Sequence, residues 1–153
     1  MNTSNDPRMI NLFKKTTIRI SIEALLVQLR TELAKEGFIV SCIADFQQEF
    51  MDRLNGHFKK YIIASVHIPY LSQQMLSFTS AQGVVLPCSI TMIETYPGEV
   101  EVIPVNTTEL IAREMHEAAL QNLAEEVSRR LDLVIHALER GPTSTPELFT
   151  SWG

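Results

Sequence analysis

Apolar and polar positions follow two periods along the chain, which separates predicted strands from predicted helices. Residues 16–20 alternate and are rich in β-branched side chains, as a strand is. A helix is predicted to follow, because Ser21 is a good N-cap residue and apolar side chains then recur at helical spacing. These side chains are Ile22, Leu25, Leu26, Leu29 and Leu33. Gly37 comes directly after the helix pattern, where helix C-termini favour glycine.

The middle of the chain repeats strand and helix patterns in turn. Residues 61–68 are almost continuously apolar, which indicates an interior strand. Pro87 falls inside another strand pattern, and its missing backbone donor predicts a bulge or a sheet edge there. The predicted strands span residues 38–46, 61–68 and 83–94, and the predicted short helices span 47–54 and 70–78.

The last third of the chain predicts a hairpin followed by a long helical region. Pro97 and Gly98 fit a type II turn before a strand at 99–105. Asn106 is a predicted N-cap. A single helix over 107–140 would be ~51 Å long, so we expect a break near residues 113–117. The buried stripe of the longer part is predicted to be Leu120, Leu123, Ala124, Val127, Leu131, Val134 and Leu138.

The order of elements predicts an α+β fold. We expect a two-layer sandwich in which a mixed, mostly antiparallel sheet carries the helices on one face and a long C-terminal helix packs on it. Residues 1–14 form a predicted N-terminal arm, 15–140 a single domain, and 141–153 a C-terminal tail that contains Trp152. The other sheet face needs cover, and a homodimer packed sheet to sheet would supply it.

Composition narrows the class of protein. The chain has 153 residues, of which 45% are hydrophobic, and its formal charge of −5 gives no broad basic surface for nucleic acid. We find no secretory leader pattern and no apolar run of membrane length, so the expected location is the cytoplasm, without a membrane partner. In a reducing compartment Cys42 and Cys88 are expected to be free thiols. Glycine-rich nucleotide, P-loop, α/β-hydrolase and EF-hand motifs do not occur.

His67 and Cys88 form the candidate site. They lie at the end of one predicted strand and within another, so neighbouring strands could bring imidazole and thiol together. Such a pair binds a transition metal or haem, or activates a thiolate. A metal site needs further ligands, which His57 or a second subunit would provide. The alternative is a buried thiol that packs as a small hydrophobic group, with a hydrogen-bonded histidine at the strand end.

Three other polar positions have structural explanations. Asp45, followed by Glu49, could act as a general base, but its position before a helix favours N-capping. His116 and His136 lie on the long helical region without an HExxH motif, so we expect both to be solvated rather than metal ligands.

Several local patterns occur together in a characteristic order. They are Gly37-Phe38, the IADF of 43–46, the LNGHFKKYII of 54–63, the IPYL of 68–71 and the GVVLPC of 83–88. This order resembles the bacterial and archaeal family called domain of unknown function 302, over roughly residues 16–138. The resemblance implies a small, dimeric α+β protein and no established activity. That family often has cysteine where this chain has His67, whereas Cys88 matches, so the pair either exchanges one metal ligand for another or has lost the site.

Three functions follow from these observations. The first is a non-catalytic dimeric module that binds a small ligand or metal near Cys88 and His67. The second is a thiol-dependent enzyme or sulfur or redox carrier, with Cys88 as nucleophile and His67 as base. The third is a structural or protein-interaction domain that uses Trp152 and the sheet face. We favour the first, because only two catalytic candidates are present where catalysis usually needs three groups.

Overall fold

A computed structural model describes residues 14–77 and 88–141 of the chain. The α+β order predicted from the sequence is confirmed, and residues 83–87 of the predicted fourth strand lie outside the described residues. The elements are β1 (Thr16–Ile18), α1 (Ile22–Lys35), β2 (Ile39–Asp45), α2 (Phe46–Leu54), β3 (Tyr61–His67), α3 (Pro69–Leu76), β4 (Cys88–Tyr96), β5 (Glu99–Val105), α4 (Thr107–Met115) and α5 (Ala118–Arg140).

Both ends of α1 form as the sequence predicts. The hydroxyl of Ser21 accepts a hydrogen bond from the backbone N–H of Ala24 at 3.2 Å. Gly37 has φ +82°, and a Cβ there would lie 3.3 Å from Nη1 of Arg130. The same guanidinium nitrogen donates to the carbonyl of Glu36 at 3.2 Å. The left-handed backbone therefore favours glycine here, and a larger side chain would also have to displace the Arg130 guanidinium by a few tenths of an ångström.

The sheet is wholly antiparallel rather than mixed. Its strand order is β1-β5-β4-β3-β2. The prediction that β3 is an interior strand is confirmed, because it pairs with β2 and β4. In contrast, β4 is the middle strand and not an edge, although its predicted span contained Pro87. Pro87 itself lies outside the described residues, so the bulge predicted there stays a prediction.

One face of the sheet packs against α1 and α5 and forms the main core. Each fully buried large aliphatic side chain stabilises the fold by roughly 1.5–3 kcal/mol. The core side chains with almost no exposure include Leu25, Leu29, Ala64, Val66, Ile90, Met92, Val100, Val102 and Leu138.

The predicted break in the long helical region is confirmed. Asn106 caps α4, and His116 then takes a left-handed conformation with φ +52°, which ends α4 before α5 begins. The predicted stripe on α5 is buried except for Leu123, which is half-buried. The chain turn at His116 lets α5 run along the sheet as a separate helix.

The opposite face of the sheet is open over most of its area. The strand register places on it Thr17, Ile39, Cys42, Ala44, Tyr61, Ile63, Ser65, His67, Ser89, Thr91, Ile93, Glu101, Ile103 and Val105, which we call the open face. Each of these side chains is half-buried or exposed. Helix α2 departs from the predicted single helical layer, because Phe46 contacts the ring of Tyr61 on this face.

Candidate functional site

The thiol of Cys88 is enclosed in the core. Its residue is 4% exposed, and Sγ lies 3.7 Å from Oδ1 of Asn106, to which it donates. Burial in apolar surroundings raises the pKa of Cys88 from an ordinary 9.0 to about 12. The side chain is therefore a neutral thiol at physiological pH, whereas a nucleophile or metal ligand must be a thiolate.

The sheet does not bring the imidazole of His67 to that thiol. Strands β3 and β4 are neighbours, but it is Val66 that lies opposite Cys88 on the core side. His67 is the next residue along β3 and pairs with the exposed Ile39. Its side chain therefore projects from the open face, on the side of the sheet opposite the Cys88 thiol. Both His67 and Cys88 border a cavity of about 10 Å³, which has room for about one water molecule.

The predicted third ligand, His57, is an exposed residue between α2 and β3. Within residues 14–77 and 88–141 there is no group of three or more His, Cys, Asp or Glu side chains arranged to hold a metal ion. The metal or haem site at His67 and Cys88 stays a prediction, and these contacts give it no support.

A polar network around Asn106 occupies the space beside Cys88. The amide nitrogen of Asn106 donates to the carbonyl of Ala124 at 3.0 Å and to the hydroxyl of Ser128 at 2.8 Å. Its amide oxygen accepts from the backbone N–H of Glu109 at 3.3 Å and from the thiol. All four hydrogen-bonding positions of the amide are used, so this side chain joins β5, α4 and α5.

The other polar candidates have structural roles. The carboxylate of Asp45 accepts from the backbone N–H of Gln48 at 3.1 Å, which confirms that it caps α2. His116 and His136 are both exposed. Nδ1 of His136 lies 3.5 Å from a carboxylate oxygen of Glu139, one turn along α5.

A groove between α3 and α5 encloses about 550 Å³ and contains two charged side chains. Glu126 accepts hydrogen bonds from Arg129 and Arg130, and these lower its pKa to about 2. Arg130 also donates to the carbonyl of Glu36. The charges in this groove are thus paired with each other, and the Glu126 carboxylate is not free to pair with a charged ligand.

Four aromatic rings cluster where α2 meets the open face. Successive ring centroids lie 5.8 Å apart for Phe46 and Phe50, 5.1 Å for Phe50 and Phe58, 6.2 Å for Phe58 and Tyr61, and 5.7 Å for Tyr61 and Phe46. Together with Ile63 they line an apolar cleft of about 210 Å³. This cluster was not predicted from the sequence, although the i, i+4 spacing of Phe46 and Phe50 indicates that the two rings are neighbours on α2.

Helix α2 also carries apolar side chains that contact little of its own chain. None of its residues is buried. Leu54 is 73% exposed and Met51 is 39% exposed. These side chains and the isoleucines of the open face expose apolar surface on the side of the sheet away from the core, and exposed apolar surface marks interaction sites.

The two cysteines differ in accessibility, which gives a direct chemical test. Both are free, as expected, with Cys42 exposed on the open face and Cys88 buried. We expect iodoacetamide at pH 8 to modify one thiol per chain in the folded monomer, and two after unfolding. Mass mapping should place the native adduct on Cys42, and Cys42→Ser should abolish it. Native modification of Cys88 at a similar rate would contradict the buried, neutral thiol.

The structure defines a small α+β protein with a helix-covered core face and an apolar open face. Residues 13–138 match the family described as Domain of unknown function DUF302, and the chain therefore belongs to this family. A crystal structure of an uncharacterized conserved DUF302 protein from Bacillus stearothermophilus has the same fold, with a TM-score of 0.70 and 18% sequence identity. The similarity covers 80% of this chain and 94% of that one. No curated protein matches the chain.

Among the helices of the described residues, none combines the length and the apolar character of a membrane span.

Proposed function

We propose that this protein is a non-catalytic module that works as a homodimer, with two copies joined through their open faces. The observation that carries the proposal is the apolar open face, on which Ile63, Ile93 and Ile103 occupy three adjacent strands without being buried. Burial of such side chains is the main source of association free energy. A second copy brings a surface of the same chemistry, as a two-fold interface requires.

The area of the face suits a dimer. The side of the molecule over strands β2 to β5, with α2 included, projects to roughly 19 Å by 24 Å, on the order of 450 Å² per copy as a flat area. The relief of the side chains and the exposed sides of α2 add to this area. Two copies therefore bury about the 1,000 Å² in total that a specific interface needs.

Charge on the face does not oppose pairing. The whole chain carries a formal charge of −5, which disfavours association in general. Among the open-face residues, Glu101 is the one acidic side chain. The carboxylate of Glu101 lies 3.8 Å from the ammonium group of Lys15, which reduces its repulsion of a second copy.

The environment of Cys88 supports a non-catalytic role over a thiol-dependent one. Its pKa of about 12 keeps the thiol protonated, and the strand register places His67 on the opposite face of the sheet, which disfavours His67 as its base. The small ligand predicted near these residues has a cavity of only about 10 Å³ in this structure. Trp152, the anchor of the alternative interaction role, lies outside the described residues.

The test compares two substitutions of similar chemistry on opposite sides of the molecule. Ile103→Asp places a carboxylate on the open face, in the middle of β5, whereas Leu133→Asp places one on α5, where Leu133 is 43% exposed. We expect sedimentation to show a dimer for the wild type and for Leu133→Asp. For Ile103→Asp we expect a monomer with an unchanged circular dichroism spectrum. Equal dimerisation of both variants would contradict the proposed interface.

Removing residues 142–153 distinguishes between two candidate occupants of the open face, a second copy of the chain and its own terminal segment. If a second copy occupies it, the truncated protein remains a dimer. If the chain's own terminal segment covers the face, the wild type is monomeric and truncation exposes the face, and the proposal then fails.

A further inference from the structure

Helix α2 sets how two open faces can meet, and this inference rests on the homodimer proposed above. We infer that α2 of one copy lies on strands β4 and β5 of the other. In this arrangement the two α2 helices lie side by side between the two sheets. The interface then contains a shared helical layer instead of direct sheet-to-sheet contact.

The thickness of a helix is the first argument. A helix with its side chains is about 10 Å across, so a helix between two sheets holds them farther apart than the roughly 10 Å of directly packed sheets. Helix α2 contacts the open face where Phe46 packs on Tyr61 of β3. Among the described residues, no helix covers β4 and β5 on that face. If the two helices were stacked one on top of the other, they would add about 20 Å between the sheets and leave a wet gap beside them. When each helix is displaced over the other copy's uncovered strands, the gap is filled.

The chemistry of the two surfaces agrees with this arrangement. Leu54 and Met51 extend the apolar side of α2 beyond the aromatic cluster, and both are exposed in the single chain. The uncovered strands offer Ile93, Ile103 and Val105, which the register places on the open face. An exposed leucine buried against branched aliphatic side chains gains more than one packed beside charges.

Symmetry supplies the third argument. A two-fold dimer needs one patch that contains both a projecting group and a surface to receive it. The open face has both, since α2 projects over β3 and leaves β4 and β5 free. Each copy contributes one helix and receives one, so the contact closes at two chains and does not propagate into a filament.

Cysteine pairs test the position of α2 directly. In a Cys42→Ser background, chains with Leu54→Cys are mixed with longer, tagged chains with Ile103→Cys and oxidised under native conditions. Cys88 stays buried and does not interfere. We expect a disulfide-linked product that contains one tagged and one untagged chain. We expect neither variant to crosslink efficiently with itself.

The outcomes separate this inference from the proposed function. A dimer in which Ile103→Cys links to itself, or Leu54→Cys links to itself without the mixed product, overturns the placement of α2 and leaves the homodimer standing. A wild type that stays monomeric overturns both.

A matched leucine pair adds a second readout. Leu54→Ala should raise the dimer dissociation constant at least tenfold, because an exposed leucine of one copy is buried by the other. Leu133→Ala, on α5, should leave it unchanged. Equal constants for the two variants would also overturn the placement of α2.

Discussion

Between pH 9 and pH 12 the free energy of unfolding is expected to fall by on the order of 1 kcal/mol per pH unit through Cys88 alone. Burial raises the pKa of this thiol to about 12 in the folded chain, against 9.0 when it is solvated. The folded state therefore holds a proton that the unfolded state releases. The contribution is complete below pH 9 and is lost as the pH rises through 12.

Urea unfolding at pH 8, 9, 10 and 11, under reducing conditions, measures this slope. Lysine and tyrosine side chains also titrate in this range, so the comparison is with Cys88→Ala. That variant is expected to be less stable at pH 8 because it loses packing, but to have a flatter dependence on pH above 9. Parallel curves for the two proteins would contradict a strongly raised thiol pKa.

Asn106→Ala is expected to lower the free energy of unfolding by roughly 2–4 kcal/mol. About 0.5–2 kcal/mol comes from the lost N-cap of α4. The rest comes from the lost bonds to the carbonyl of Ala124 and the hydroxyl of Ser128, at about 1 kcal/mol for each hydrogen bond. Chemical denaturation monitored by circular dichroism gives the value.

Asn106→Ser is the control for this prediction. Serine can still cap α4, but it is too short to replace the amide that reaches α5. Its stability should fall between those of the wild type and Asn106→Ala. If serine restored the full stability, the contacts with α5 would contribute nothing, and the role of Asn106 as a link between three elements would be wrong.

Local chemistry made most of the secondary structure predictable. Ser21, Asp45 and Asn106 each accept the backbone hydrogen bond that their residue type and position indicate. The backbone of Asn55, which ends α2, is likewise left-handed, with φ +50°. These features depend on a few neighbouring residues, so a single sequence contains the information.

The candidate site depends on long-range pairing, which the sequence left open. The convergence of His67 and Cys88 required that their strands be neighbours and also that their residues share a face. The first condition holds, and the second fails because Val66, not His67, lies opposite Cys88. Side chains in a strand alternate with period two, so a difference of one residue decides the outcome.

The position of α2 could not be predicted for a similar reason. Its helical pattern is clear, but the pattern does not say which side of the sheet the helix will contact. The aromatic contact between Phe46 and Tyr61 places it on the open face. That placement turns an ordinary short helix into part of the proposed interface.

The most direct test of the homodimer is the mass of the wild-type protein in solution across a concentration series. Sedimentation equilibrium from about 1 to 100 μM covers the affinities of ordinary specific interfaces. We expect a mass of twice the chain's 17.3 kDa over most of this range. Any dissociation should be confined to the lowest concentrations. A mass of 17.3 kDa at every concentration would contradict the pairing of open faces.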